Sequence, residues 1–278
     1  MSLGINTNVS SINAQRNLAN NVLALGKSME KLSSGYRINK AGDDAAGLTI
    51  SENLRAQIRG SKKALDNVQD GINVLNITDG ALNSISGNLQ RMRELAVQAG
   101  NDTNSAASRT AMKTEFDALS TEITRISDAT NFNGVQLLDG TTASINIQLG
   151  PGSAAGSNVL NVASFGDIDA TILGVATAAT PLATNANAIA TIALVDTAIG
   201  TVNTRRSGIG AVANRLENAA SNLMSSVENL SAAESRIRDV DVAAESAALV
   251  RNQVLQQASA AMLSQANQLP SVALSLLK

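Results

Sequence analysis

The apolar positions in the C-terminal half of the chain follow one rule over a long distance. Ile192, Val195, Ile199, Val202, Arg206, Ile209, Ala213, Leu216, Ala220, Leu223, Val227, Leu230, Ala233, Ile237, Val240, Ala244 and Ala247 recur in alternating steps of three and four, with Arg206 alone polar. Such spacing keeps side chains on one stripe of a helix and repeats every seven residues, as the seam of a coiled coil does. It predicts about 56 residues of helix, about 84 Å at the α-helical rise. The N-terminal half mirrors it. Leu54, Ile58, Ser61, Leu65, Val68, Ile72 and Leu75 share one register, and Leu82, Ile85, Leu89, Met92, Ala96 and Ala99 continue after a one-residue slip at Asp79 and Gly80.

Asp-Gly pairs at 70–71 and 79–80 are hairpin-turn signals, but their flanks lack the alternation of strands, so both are read as helical. Gly60, Gly71, Gly80 and Gly87 each cost about 1 kcal/mol against Ala in a helix, so this helix depends on packing. A second helix is predicted on Met112, Phe116, Leu119, Ile123 and Ile126, ending at the polar stretch SDATNFNG.

Between Val135 and about Pro181 the period changes. Asn-Gly at 133–134, Asp-Gly at 139–140, the alternation Ile145, Ile147, Leu149 and the segment GPGSAAG at 150–156 predict short strands joined by turns. This is a small, exposed, β-rich insertion, 139–187, too small for much of a binding pocket.

At the N-terminus Ile5, Val9 and Ile12, then Leu18, Val22, Leu25, Met29 and Leu32, keep helical spacing until SSGYRINKAGDDAAG at 33–47 interrupts it. At the other end Leu255, Ser259, Met262, Ala266, Leu269, Ala273 and Leu276 form one stripe, widened by Val254, Ala258, Ala261 and Leu263. Pro270 is expected to bend the last two turns. The fold class predicted is mainly α: long antiparallel coiled-coil helices from both termini, with the β-rich insertion in the middle. The expected divisions are paired terminal arms (1–43 and 240–278), a long helical bundle (44–138 and 188–239) and the insertion (139–187).

Composition narrows the functional classes. The chain is 44% apolar, yet its aromatic residues are only Tyr36, Phe116, Phe132 and Phe165, which favours thin helical layers over a thick core. A net charge of −2 without a strong basic cluster argues against nucleic acid. The basic residues Arg16, Lys27, Lys31, Arg37 and Lys40 near the start are read as a solvated helix face. With no Cys and no His, thiolate chemistry, the commonest general base and the commonest metal ligand are all missing. No catalytic site, metal or cofactor is expected. Asp43 and Asp44 are read as a helix N-terminus rather than a catalytic pair. No unbroken apolar run of about 18 residues exists, so membrane insertion is not expected. The opening residues lack the pattern of a cleaved signal, so any export takes another route.

Two helical arms can pair, but pairing covers only their facing seams. Burial is worth about 25 cal/mol per Å², so an uncovered stripe tens of ångströms long represents several kcal/mol awaiting a partner. Identical chains carry identical stripes, and a heterologous contact that does not close makes a helical filament.

The segments NLQRMRELAVQAG (88–100), SSGYRINKAGDDAAGL (33–48), FNGVQLL (132–138), SRIRDVD (235–241) and QVLQQASAAMLSQANQLPSVALSLLK (253–278) resemble the bacterial flagellin family, in order and at the expected ends. The likeness covers roughly 1–140 and 190–278. It implies a structural filament subunit for motility, outside the cell. The paired arms would line the inner core and be disordered before assembly, with Ile5, Val9, Ile12, Leu18, Val22, Leu25, Leu32, Leu255, Met262, Leu269 and Leu276 packing between arms or subunits. It also implies export through the flagellar type III apparatus, hook-associated junction and cap proteins as neighbours, and an export chaperone on Val254, Leu255, Met262, Leu269 and Leu276. A vertebrate Toll-like receptor for flagellin would read Arg91, Leu95 and Glu115, as exposed charge beside an apolar anchor. Cytosolic innate sensors would read Leu276 and Leu277, with Lys278 standing where the family usually has Arg. The related junction protein usually diverges from the LQRMRELAVQ and SLLK stretches present here.

Overall fold

The computed structural model describes residues 7–153, 158–163, 165–176 and 182–275. Along them run helices α1 (Val9–Ser34), α2 (Ala45–Ala99) and α3 (Ala106–Ala129), strands β1 (Asn131–Phe132), β2 (Val135–Gln136), β3 (Ile145–Gln148) and β4 (Val159–Val162), and helices α4 (Asn185–Arg238) and α5 (Val242–Ser275). The mainly helical fold with a small β-rich middle is therefore as the sequence predicts. The chain forms two compact units, Met1–Ala56 with Asn229–Lys278, and Gln57–Glu228.

In the second unit, α2, α3 and α4 bury their stripes in one cluster. It contains Leu82, Ile85, Leu89, Met92 and Leu95 of α2, Met112, Phe116 and Ile123 of α3, and Val195, Val202, Ile209 and Leu216 of α4. The glycines of α2 do not interrupt it, and the predicted slip has a definite form. The buried stripe passes through Thr78, which is fully covered and donates its hydroxyl to the Val74 carbonyl at 2.8 Å. Asp79 is thereby left at the edge of the stripe, where both its carboxylate oxygens accept from Arg206, at 2.8 and 3.3 Å. The one polar position in the α4 seam thus answers the one irregularity in α2. Charge-assisted pairing is what makes an arginine tolerable there.

The middle segment is less independent than its composition implies. Phe132 and Val135 pair across the Asn133-Gly134 turn, whose φ values of 50° and 80° are those of a two-residue hairpin. Strands β3 and β4 pair antiparallel, Ile145 opposite Val162 and Gln148 opposite Val159. Instead of standing apart, the segment puts Leu137, Leu138, Leu160, Val162, Phe165, Ile168, Leu173 and Leu182 into the same cluster as the helices. Its apolar residues are too few to form a core alone, so the bundle completes it.

Glycines in α2 make that seating close. A Cβ on Gly60 would stand 2.6 Å from Pro151 Cβ, and one on Gly71 would stand 2.5 Å from Ile147 Cδ1. Gly80 and Gly87 face open space.

The heptad predicted through Ala247 is broken. α4 stops at Arg238 and α5 begins at Val242, because Asp241 accepts from the backbone N–H groups of Ala243 and Ala244 as a helix cap, and Tyr36 and Asp239 form a β-bridge. The backbone of α5 continues as helix through Pro270 to Ser275. One stretch of α4 is long and apolar enough to cross a membrane by length and composition, with mean hydropathy 1.2. Val195, Ala198 and Val202 of that helix are packed in the protein core.

Replacing Gly60 or Gly71 with Ala should destabilise the monomer despite the better helix propensity. Gly80→Ala and Gly87→Ala should each stabilise it by about 0.5–1 kcal/mol, read by chemical unfolding.

Candidate functional site

The terminal arms, α1 and α5, lie antiparallel. Across their seam Asn8 donates to the Ala266 carbonyl at 2.7 Å, the Ser11 hydroxyl donates to Asn267 Oδ1 at 2.6 Å, and Asn21 donates to Ser259 Oγ at 2.8 Å. Further along, Asn252 reaches Ser28 at 3.4 Å and Lys31 faces Glu245 at 3.7 Å. Asn8 also caps α1 by accepting from Ser11 N–H, and Gly35 closes that helix in the left-handed conformation, φ 74°, its N–H donating to the Lys31 carbonyl.

This seam is partly polar. The α1 face turned inward carries Asn8, Ser11, Ala14, Leu18, Asn21, Leu25, Ser28 and Leu32, of which only the three leucines are large and apolar. Leu18, Leu25 and Leu32 are half-buried there, as expected. Val9, Ile12 and Val22 are instead exposed, together with Leu23 and Met29. On α5 the covered positions are Leu249, Asn252, Gln256, Ser259, Leu263 and Ala266, while Val250, Val254, Leu255 and Met262 are exposed. Ile5, Leu276 and Leu277 lie outside the described residues, as does the side chain of Leu269. A reading of apolar spacing alone passes over the asparagines and serines, which hold the seam through hydrogen bonds that fix its register.

At the base of the arm pair, within the same compact unit, the chain is pinned. Arg238 is nearly buried, with its guanidinium 4.7 Å above the Tyr36 ring and one nitrogen 2.6 Å from Glu52. Arg37 N–H donates to the Arg238 carbonyl at 2.6 Å, Val240 N–H donates to the Gly35 carbonyl at 3.0 Å, and Ile38 fills the space beneath. Arg55 adds an ion pair to Glu234 at 3.3 Å. Glu52 is shared by Arg238 and Arg55, whose hydrogen bonds hold its carboxyl below the usual glutamate range. In the neighbouring turn the backbone N–H groups of Lys40 and Asn39 hold Asp43 below its ordinary value, and Asp44 accepts from Gly47 N–H at the start of α2. The motifs SSGYRIN and SRIRDVD, 200 residues apart at Arg37 and Ile237, thus form one joint.

The three residues proposed for receptor reading are adjacent but unequal. Arg91 donates to Glu115 at 2.8 Å and to Glu94 at 2.9 Å on the surface, and these carboxylates hold the guanidinium above its usual value. Leu95 is 1% exposed, packed in the core below that pair, so it is not a surface anchor.

A cleft of about 450 Å³ lies between α2 and the strands, larger than the size of the insertion suggests. It is lined by Asn67, Asp70, Gly71, Ile147, Gln148 and Phe165 among others, with Asp70 its only carboxylate. Among the described residues no group of His, Cys, Asp and Glu is arranged to hold a metal ion.

Comparison with known proteins addresses the whole chain. Residues 5–143 match the bacterial flagellin N-terminal helical region, and residues 192–277 match the bacterial flagellin C-terminal helical region. The chain belongs to the bacterial flagellin family. A flagellin of Halalkalibacterium halodurans is 47% identical over 274 residues, 99% of each chain. The flagellin of Bacillus subtilis is 45% identical over 302 residues, and the flagellar filament 33 kDa core protein of Treponema phagedenis is 41% identical over 288, again with 99% of each chain covered. Among solved structures, Bacillus cereus flagellin aligns with a TM-score of 0.51 at 36% identity, over 61% of this chain and 94% of that one. A putative flagellar hook-associated protein from Vibrio parahaemolyticus shares the fold at 16% identity, with a TM-score of 0.56 over 71% of this chain and all of that one. Flagellins are structural proteins that form the extracellular filament of the bacterial flagellum, for motility, and this chain is such a subunit.

Tyr36 is the single tyrosine and the chain has no tryptophan, so intrinsic fluorescence reports on the joint. A carboxylate whose folded pKa is depressed contributes stability fully above its unfolded value and loses it as pH falls through the folded one. Tyr36 emission and anisotropy should therefore hold steady at neutral pH and change below about pH 4.3, the ordinary glutamate value. Glu52→Gln should bring most of that change to neutral pH, leaving in the acid window only the part due to Asp43.

Proposed function

We propose that the two terminal arms are the assembly surface of this flagellin. They form the inner core of the filament, the helices of residues 44–138 and 188–239 form the surrounding wall, and the segment 139–187 faces outward. The observation that carries this reading is the placement of Val9, Ile12, Val22, Val254, Leu255 and Met262 on exposed faces of a helix pair that is itself held by polar contacts. Nothing among the described residues covers them, whereas a second copy brings the same faces. A seam that rests on a few exposed or half-buried hydrogen bonds also suits arms that are mobile until neighbours pack on them.

The same exposed residues of α5, Val254, Leu255 and Met262, suit an export chaperone that shields them before assembly, with Leu269 and Leu276 continuing the stripe. Passage through the flagellar type III apparatus, contacts with hook-associated junction and cap proteins, and reading of Leu276 and Leu277 by cytosolic sensors follow from the family resemblance. For the Toll-like receptor, Arg91 and Glu115 supply the accessible charge, and Leu95 supports them from beneath.

Seeded polymerisation tests the central claim. Removal of residues 1–32 or 255–278 should abolish elongation while the circular dichroism of the remaining helices persists; elongation by either trimmed chain would refute it. For the receptor reading, Arg91→Ala and Glu115→Ala should each lower receptor signalling by soluble monomer without altering thermal unfolding by more than a few degrees. An unchanged dose response would refute that part.

A further inference from the structure

The described methionines are graded by exposure. Met92 is fully buried and Met112 is 7% exposed, whereas Met29 is 57%, Met224 56% and Met262 64% exposed. Met29 belongs to α1 and Met262 to α5, each exposed at the flank of the arm seam, on helices that also expose Val22 and Leu23, and Val254 and Leu255, respectively. The position of a thioether decides both its chemistry and the consequence. An exposed sulfur is open to two-electron oxidants such as peroxide, and its sulfoxide is polar, chiral and ill-suited to a closely packed apolar contact.

We propose that Met29 and Met262 are oxidation sites whose sulfoxides block incorporation of the subunit into filament, and that assembly in turn shields them. The step is balanced by a peroxide: the thioether sulfur donates a lone pair to one peroxide oxygen, the O–O bond breaks as the S–O bond forms, and the departing oxygen leaves as water after proton transfer. Sulfur loses two electrons and the peroxide gains them. Incorporation then requires burying a polar S=O group on a face that also exposes large apolar side chains, and its desolvation disfavours the contact. The proposal rests on the reading of the arms as the assembly surface.

The test uses the full-length native chain and dilute hydrogen peroxide, with peptide mass spectrometry of the products. In monomer, Met29, Met262 and Met224 should oxidise at least about tenfold faster than Met92 and Met112. A partly oxidised pool is then polymerised on seeds, and the sulfoxide content of polymer is compared with that of the remaining monomer. Chains oxidised at Met29 or Met262 should be depleted from polymer by about tenfold, the effect of 1.4 kcal/mol at the contact. Entry of oxidised and unoxidised chains in equal proportion overturns the proposal. A chain carrying Met29→Leu and Met262→Leu should polymerise normally after the same peroxide treatment; if that variant does not assemble at all, the depletion measured on the native chain decides. Two failures are distinguishable by oxidising preformed filaments. If Met29 and Met262 react there as fast as in monomer, the arms are not subunit contacts and the underlying reading falls. If they are protected, yet oxidised chains still enter filament freely, only the oxidation proposal falls.

Discussion

Two helices laid side by side can hide only the faces they turn to one another, and that geometric limit governs this molecule. In the helical wall a third helix and the strands cover what the first two leave open, and the result is a continuous interior from Ala64 to Leu223. Along the arms no third layer is found among the described residues. There the seam is made from asparagine, serine, glutamine, alanine and five leucines, Leu18, Leu25 and Leu32 of α1 with Leu249 and Leu263 of α5, while Val9, Ile12, Val22, Val254, Leu255 and Met262 stand outside. The division of labour is economical. Hydrogen bonds set the register of the arm pair, and the apolar side chains of Val9, Ile12, Val22, Val254, Leu255 and Met262 are left exposed.

The joint at the base of the arms, formed within the same compact unit, answers the same limit. A two-helix arm supplies little packing of its own, so the chain adds groups of fixed geometry: a guanidinium on an aromatic face, a shared carboxylate and a single β-bridge. Breaks in both passing strands of chain, at residues 35–44 and 239–241, occur where those groups meet. Interrupting two helices at one level costs backbone hydrogen bonds, and the capping by Asp44, Asp241 and Gly35 offsets that cost locally.

How much of this could be read from sequence depends on which force places each residue. Periodicity reported the wall faithfully, since Leu82, Leu89, Met92, Val195 and Val202 are placed by burial and burial is what hydrophobic spacing records. It even located the irregularity at Asp79, although not the covered Thr78 or the pairing with Arg206, because a polar residue in a seam carries no periodic signal. In the arms, Asn8, Asn21 and Asn252 likewise carry no periodic signal, because they are placed by hydrogen bonds across 200 or more residues. The glycines and turns of the insertion read as a small exposed segment and do not report its packing. Its few large residues, Phe165 and Ile168 among them, were enough to draw it into the wall. Leu95, given its role by family resemblance alone, lies beside the α2 stripe and is buried with it.

The arm contact between Asn8 and Ala266 joins residues 258 positions apart. Closing so large a loop is entropically slow, and no local nucleus can begin it. The wall can therefore fold while one extremity is still missing, but the arm cannot. Pairing of the two ends is in effect a check on completeness: a chain cut short during synthesis or by a protease keeps a folded middle and yet presents an orphan helix.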